Sequence, residues 1–251
     1  MTGTRTRIEG IEHAQLAAGA GVRRVAAVLS TASDERGHLV ADRATPETGE
    51  LIDVGDDLTA ERLRSVLSDE LAEWNANAAE GTTVESGGNE NGRLTPGEPI
   101  VVGVTPRREG YHGRLVRTFV VGGDGGKERR AAVALDGAFR SAKALVTARE
   151  VTVGAVEGDL AAEIRAFGFD EDDGMETWVH GVGAETRENP REPGDAIEPG
   201  TVVAVEAAVD GGGERRIRFG DLLVRGTERA RWIDAPPRSL DPSAVSPSKG
   251  G

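Results

Sequence analysis

The chain has 251 residues, 43 Asp+Glu against 30 Lys+Arg for a formal charge of −13, and no cysteine. Disulfides, thiolate nucleophiles and cysteine-based zinc sites are therefore excluded, while 37% hydrophobic residues suffice for a core. No apolar run approaches the roughly 18 residues of a membrane span, and Met1-Thr-Gly-Thr-Arg lacks the apolar stretch of a secretory leader, so the expected compartment is the cytoplasm, with no membrane partner.

Helical spacing with high alanine content runs from Ile11 to Ser30 and puts Ile11, Leu16, Val22, Val25, Val28 and Leu29 on an apolar stripe. Residues 34–57, with Gly37, Pro46, Gly49 and Gly55, read as a loop or small hairpin. A second helix over Thr59–Asn77 aligns Leu63, Val66, Leu67 and Leu71, with Asp57 or Thr59 as its cap. Residues 80–98 are rich in Gly, Asn and Glu and read as irregular. Pro99–Val104 and Leu115–Val121 read as strands joined through Arg107-Arg108-Glu109-Gly110. The order then repeats: helices over Lys127–Arg149 and Glu157–Phe167, an irregular stretch over Asp170–Pro199, and strands over Thr201–Val209 and Arg216–Arg225. Residues 7–233 are expected to form one domain, and the Pro/Ser/Gly-rich residues 235–251 to be disordered.

An internal match accompanies the repeated order. Pro96-Gly97 can be laid on Pro199-Gly200 at an offset of 103 residues, and both lead into an apolar strand. Two α-α-β-β halves predict an α+β fold with pseudo-twofold symmetry, a curved antiparallel sheet carrying helices on its outer face.

Few residues stand out chemically. His13, in the first helix, and His38, in a loop, read as ordinary surface or cap residues. His112 sits in a turn that leads into a strand, and His180 precedes Gly181-Val-Gly183, where glycines let backbone approach closely. Glu206 interrupts the apolar run Val202-Val-Ala-Val-Glu-Ala-Ala-Val, so its carboxylate must be paired, hydrogen-bonded, functional or turned to solvent. Lysine occurs only at 127, 143 and 249 and aromatics are 4% of the chain. Such a composition is similar to that of halophiles with molar internal salt, where a Debye length of about 3 Å screens acid–acid repulsion. Without a basic stripe, nucleic acid is not an expected partner.

Four segments resemble a known family in order. Gly110-Tyr-His-Gly-Arg-Leu-Val-Arg-Thr-Phe resembles the Gly-aromatic…Asp-x-x-Arg-Thr-Phe segment of the pita-bread metallopeptidases, peptidase family M24, which holds methionine aminopeptidases, Xaa-Pro aminopeptidases, prolidases and creatinase. His180-Gly-Val-Gly…Arg187-Glu-Asn-Pro resembles its His-Gly-Ile-Gly…His-Glu-x-Pro motif. Pro199-Gly-Thr-Val-Val-Ala-Val-Glu resembles Pro-Gly-Met-Val…Glu-Pro, and Ile217-Arg-Phe-Gly-Asp resembles Val-Arg-Ile-Glu-Asp. The resemblance implies the pita-bread fold.

It also implies a site. These enzymes hold two divalent ions (Mn, Co, Zn or Fe) with two Asp, one His and two Glu. Carried over, the first Asp falls on Gly103, the second on Arg114, and the last Glu on Gly220, with Asp221 next to it; only His180 and Glu206 remain as ligand types. The substrate-contacting histidine falls on Arg187, with Glu188 and Pro190 retained, and the further histidine usual before the first Asp has no evident match, since Glu85-Ser-Gly-Gly-Asn-Glu-Asn-Gly-Arg lacks one. The usual ligands carry four negative charges; here Arg114 and Glu206 cancel, so no metal is expected and an Arg114–Glu206 ion pair is expected instead. His180, Glu206 and His112 are the catalytic candidates, and Arg114, Arg117, Arg187, Glu188 and Asp221 the cleft candidates. The resemblance then implies an inactive peptide- or protein-binding member of the family, with a homodimer as a further option. The alternatives are an Xaa-Pro dipeptidase or aminopeptidase with a depleted metal site, and a metal-free, creatinase-like amidohydrolase.

Overall fold

Alanine dominates the buried face of α1 (Thr2–Leu29), where Ala17, Ala18, Val22, Val25, Ala26 and Leu29 enter the first core. Small residues let α2 (Ala60–Glu73) come close: a Cβ at Gly21 would stand 2.4 Å from Leu67 Cδ1. Of the two possible caps it is Thr59 whose hydroxyl accepts the Arg62 N–H, at 3.2 Å, and Leu63, Val66, Leu67 and Leu71 are buried as their spacing predicts. Between the helices, β1 (Ala32–Glu35) and β2 (His38–Ala41) form a hairpin across Arg36 and Gly37, both at positive φ, the geometry a two-residue hairpin turn needs. The structure, a computed structural model, describes residues 2–41, 55–87, 92–123, 125–148, 150–211 and 216–246. Residues 42–54 of the 34–57 segment, including Pro46 and Gly49, and tail residues 247–251 lie outside the described residues.

Three short strands, β3 (Asn77–Ala78), β6 (Pro106–Arg108) and β7 (Tyr111–His112), make a small sheet of their own. The main sheet takes β4 (Thr83–Ser86), β5 (Pro99–Val104), β8 (Leu115–Val120), β9 (Glu176–Gly181), β10 (Val202–Asp210) and β11 (Arg216–Arg225) in the order β4-β5-β8-β11-β10-β9, with β12 (Ala230–Trp232) pairing onto β11. All of these pairings are antiparallel. The strands expected at Pro99–Val104 and Arg216–Arg225 have those limits. The stretches expected to be irregular, 80–98 and 170–199, are corrected: each contributes an edge strand, β4 and β9, too short and too polar to show an apolar period. The second helical pair, α3 (Lys127–Ala148) and α4 (Val153–Ala166), begins four residues earlier in α4 than expected, because Thr152 caps it by accepting the Ala155 N–H.

The sheet is a duplication about its centre, β4-β5-β8 facing β11-β10-β9. The two Pro-Gly turns repeat in detail. Gly97 and Gly200 have φ of 78° and 90°, and each donates its N–H to the neighbouring strand, to Val121 O and Arg225 O, both at 2.7 Å. Strand alternation then sorts side chains between faces. Ile100, Val102, Val104, Leu115 and Phe119 pack against α1 and α2, while Val203, Val205, Ala207, Phe219 and Leu223 pack against α3 and α4. The helices thus cover one face, and the duplicated α+β architecture expected from the sequence is present. On the other face a register row crosses six strands: Thr83, Gly103, Val116, Gly220, Glu206 and Trp178.

The expectation of a disordered tail does not hold for residues 235–246. Low apolar content leaves the segment only a 3₁₀ turn, Pro242–Ala244, as regular structure, but does not preclude docking. The Pro236 carbonyl accepts Arg117 Nη2 at 2.5 Å, the Leu240 carbonyl accepts the Val120 N–H at 2.8 Å, and Val245 is buried in the first core. Among the described residues no helix is long and apolar enough to cross a membrane.

Candidate functional site

The row on the uncovered face leads into a cavity of about 290 Å³, lined by Glu80, Gly81, Thr105, Arg114, Trp178, His180, Thr186, Arg187, Glu206 and Arg218. Its floor is built by β10 and β11. Pairing of Glu206 with Gly220, and of Glu206 with Trp178 on the other side, fixes the carboxylate in the middle of the face. Two residues along β11 from Gly220, hence on the same side, Arg218 reaches the same carboxylate.

Glu206 is 2% exposed. The ion pair expected with Arg114 is present and bidentate: Arg114 Nε donates to Oε1 at 2.6 Å and Nη2 to Oε2 at 3.0 Å. Arg218 Nη2 also donates to Oε2, at 2.5 Å. Burial by itself would raise the carboxyl's pKa, but the charges and hydrogen bonds of Arg114, then Arg218, outweigh it and hold the group at about 2 instead of 4.5. Arg114 is further fixed by donating Nη1 to Gly81 O and Thr105 Oγ1, both at 2.9 Å, and its backbone N–H to Gln15 Oε1 of α1 at 2.8 Å. The Arg218 guanidinium lies over Trp178, 4.8 Å from the ring centre.

The two glycine positions are filled from their neighbours. A Cβ at Gly220 would stand 2.9 Å from both Glu206 Cγ and Val116 Cγ2, and one at Gly103 would stand 3.1 Å from Thr83 Oγ1 and 3.6 Å from Arg114 Nη1. Of the five ligand positions implied by the resemblance, two therefore lack a side chain, one is a guanidinium, and Glu206 has both oxygens held by guanidiniums. That donor set does not fit a pair of divalent ions: the site supplies one carboxylate and one imidazole against four positive charges, with fixed cations beside them. Among the described residues no group of three or more His, Cys, Asp or Glu side chains is placed to hold a metal.

His180 is 9% exposed on β9 and its Nδ1 lies 3.1 Å from the Gly181 carbonyl oxygen. Burial lowers its pKa, and the hydrogen bond to Gly181 and the nearby Glu206 only partly oppose this, so the ring is neutral at pH 7. With Nδ1–H donating to that carbonyl, Nε2 carries the lone pair. The close approach that the glycines permit is to the loop after the site: a Cβ at Gly181 would stand 2.4 Å from the Asn189 carbonyl oxygen, and Glu188 N–H donates to Gly181 O at 2.9 Å. Glu188 itself forms an ion pair with Arg7 of α1 and does not line the cavity. Arg187 does line it, exposed and with no ion-pair partner among the described residues.

Besides Glu188, three sequence candidates fall outside the cavity. Arg117 and Asp221 have the other strand parity and point to the helical face, where Arg117 Nη2 donates to Asp221 at 2.7 Å and Arg238 Nε donates to the second Asp221 oxygen at 2.7 Å. They hold the tail, and Asp221 cannot replace a ligand at Gly220, being on the opposite side of β11. His112 is buried against Gly183, its Nδ1 3.4 Å from that carbonyl, and does not line the cavity. Conversely Arg218, inside the Ile217-Arg-Phe-Gly-Asp segment, and Trp178, two residues before His180, line the cavity without having been singled out from the sequence. Period-two counting across the β10–β11 hairpin, with 206, 218 and 220 on one face, was the signal available.

The family model for "Metallopeptidase family M24" matches residues 9–225. A search of curated protein sequences finds no match. Among solved structures, the chain is similar to the prolidase from Pyrococcus furiosus (TM-score 0.73, 19% identity, 93% of this chain and 65% of that one). It is also similar to the dipeptidase PepE from Mycobacterium ulcerans (0.72, 19%, 94% and 59%) and to the X-Pro aminopeptidase from Thermotoga maritima MSB8 (0.72, 18%, 94% and 62%). The chain spans less than two thirds of the length of each of these, and at such identities they speak for the fold. Those neighbours share the curled antiparallel sheet with its helices, and the match over most of the sequence places this chain in metallopeptidase family M24.

Proposed function

We propose that this chain is a non-hydrolytic member of its family that binds a peptide, free or as part of a protein, in the cleft where its relatives hold metal. The observation that carries the reading is Glu206. As the one acidic ligand type retained, it is clamped by Arg114 and Arg218, so a metal would have to displace two guanidiniums to reach it. The names of the structural neighbours, prolidase and X-Pro aminopeptidase, point to Xaa-Pro peptides as the ligand class to try first. The acidic, lysine-poor composition supports a cytoplasmic setting at molar salt, and assays belong under those conditions.

The test is hydrolysis of Xaa-Pro dipeptides with added Mn²⁺ or Co²⁺ in molar KCl, run beside calorimetric titration of the same peptides. Binding without turnover is expected. Metal-stimulated turnover that EDTA abolishes would overturn the proposal. A second reading, metal-free amide hydrolysis, has one specific support: neutral His180 with Nε2 free to take a proton. It requires turnover that persists in EDTA and disappears in His180→Ala.

A further inference from the structure

The two halves of the main sheet meet where β8 runs beside β11. Among the described residues that seam is paired at one backbone position, Val116 with Gly220, whereas β10 and β11 pair without a break from Val202–Val224 to Asp210–Arg216. Continued along the strands, the register places Thr118 opposite Arg218 and Val120 opposite Arg216. There backbone pairing gives way. The Thr118 hydroxyl accepts the Arg218 N–H and donates to the Arg218 carbonyl, both at 2.9 Å. The Val120 N–H, on the seam side of β8, donates to Leu240 O of the tail at 2.8 Å. Each half has its own apolar core on the helical face. A cavity of about 970 Å³ separates α3 from the Gly97 and Gly122 turns of the first half, and tail residues 238–241 line it.

The tail crosses this gap and holds both sides of it. Ala235 and Val245 pack on the first core and Leu240 on the second, while Arg238 donates to Asp221 of β11 and Asp136 of α3. Beneath it, Arg117 of β8 has acceptors on each strand of the seam: Nη1 donates to Val116 O at 2.8 Å and Gly220 O at 3.1 Å, and Nη2 to Pro236 O at 2.5 Å. Toward the other end of the seam the halves are fastened by packing, with Ile11 of α1 among Val202, Ala204, Leu222 and Val224. Two packed bodies fixed at one end keep one free motion, a splay of the other end. We propose that the β8–β11 seam is a joint able to splay at its Val120–Arg216 end, and that residues 235–246 are the strap that holds it shut, with Arg238 as the latch. A strap on the helical face then sets the width of the cleft on the opposite face, whether that cleft binds or hydrolyses its ligand.

The chain has no cysteine, so introduced pairs can be spin-labelled specifically and their separation read by double electron–electron resonance in molar KCl. Glu85→Cys with Glu176→Cys places exposed labels on the two edge strands, in the register row that runs through Thr118 and Arg218. Ala144→Cys with Ala162→Cys places exposed labels on α3 and α4 and reports within the second half alone. With Arg238 present, one narrow distribution is expected for each pair. Arg238→Ala should add a longer component to the 85–176 pair, displaced on the order of one strand spacing, about 5 Å, and leave the 144–162 pair unchanged. Asp136→Asn, which takes one of its two carboxylates from Arg238, should give a smaller shift in the same direction, and it serves alone where Arg238→Ala does not fold. An 85–176 distance that neither variant changes overturns the proposal. Equal broadening of both pairs also overturns it, since that is general loosening and not movement at a joint.

Discussion

Glu206 stays ionised although almost fully buried, because two guanidiniums compensate the lost hydration. The pair is a unit, and its members are not equivalent. Removing Glu206 strands two cations, whereas removing Arg114 leaves the carboxylate with Arg218. Glu206→Gln is therefore expected to cost about 3–5 kcal/mol and Arg114→Met about 1–3 kcal/mol, measured by urea unfolding at constant salt; the reverse order would contradict the geometry. The same carboxylate sets an acid limit. Its folded pKa of about 2 lies below the ordinary 4.5, so its contribution is complete above the unfolded value and is lost as pH falls through the folded one. Stability measured from pH 6 downwards should hold to about pH 5 and then decline toward pH 2, and the decline should be shallower in Glu206→Gln. Its place in an apolar run marked Glu206 as anomalous, and Arg114 was named as its partner through the resemblance to the family. What they did not show is that Arg218 completes the clamp, since nothing in a single strand tells which neighbour's side chain will reach across.

At the scale of elements, the inner strands were legible with their limits: β5 is buried at every position and reads as a continuous apolar run, and β11 carries Ile217, Phe219 and Leu222-Leu223-Val224 between two terminal arginines. Edge strands β4 and β9 were not, since they mix polar with apolar residues and hydrogen bonding to one partner holds them. The tail was misread for a related reason. Its order comes from backbone carbonyls, one arginine and scattered apolar contacts such as Val245, not from an apolar period. Arg238 donates to Asp221 and to Asp136 of α3, at 2.7 and 2.9 Å, and stacks over Phe139 and Trp232 at 4.4 and 5.0 Å. Arg238→Ala is expected to release residues 235–246, seen as new proteolytic cleavage in that segment, and to cost about 2–4 kcal/mol. Retention of native protease resistance would show that the Pro236 and Leu240 carbonyl contacts suffice without it.

At the scale of the molecule, the duplication explains why loss of ligands is tolerated. Gly103 and Glu206 stand 103 residues apart, the same offset as the two Pro-Gly turns, and occupy corresponding strands of the two halves. Of the positions the resemblance implies, the second half has one carboxylate, the imidazole and a glycine at 220; the first contributes a glycine and a guanidinium, and that cation closes the face electrostatically from within. The helical cores of both halves lie on the opposite side of the sheet and do not depend on what the cleft holds. Fold and site are thus separable. Membership of the family follows from the first, and the proposed change from hydrolysis to binding follows from the second.

The most direct measurement is the metal content of the native protein purified without chelators, by elemental analysis, followed by dialysis against Mn²⁺, Co²⁺ or Zn²⁺ in molar KCl. A cleft closed by the Arg114–Glu206–Arg218 clamp predicts well under one bound ion per chain, before and after dialysis. Two tightly held ions per chain, lost on substitution of His180 or Glu206, would contradict it.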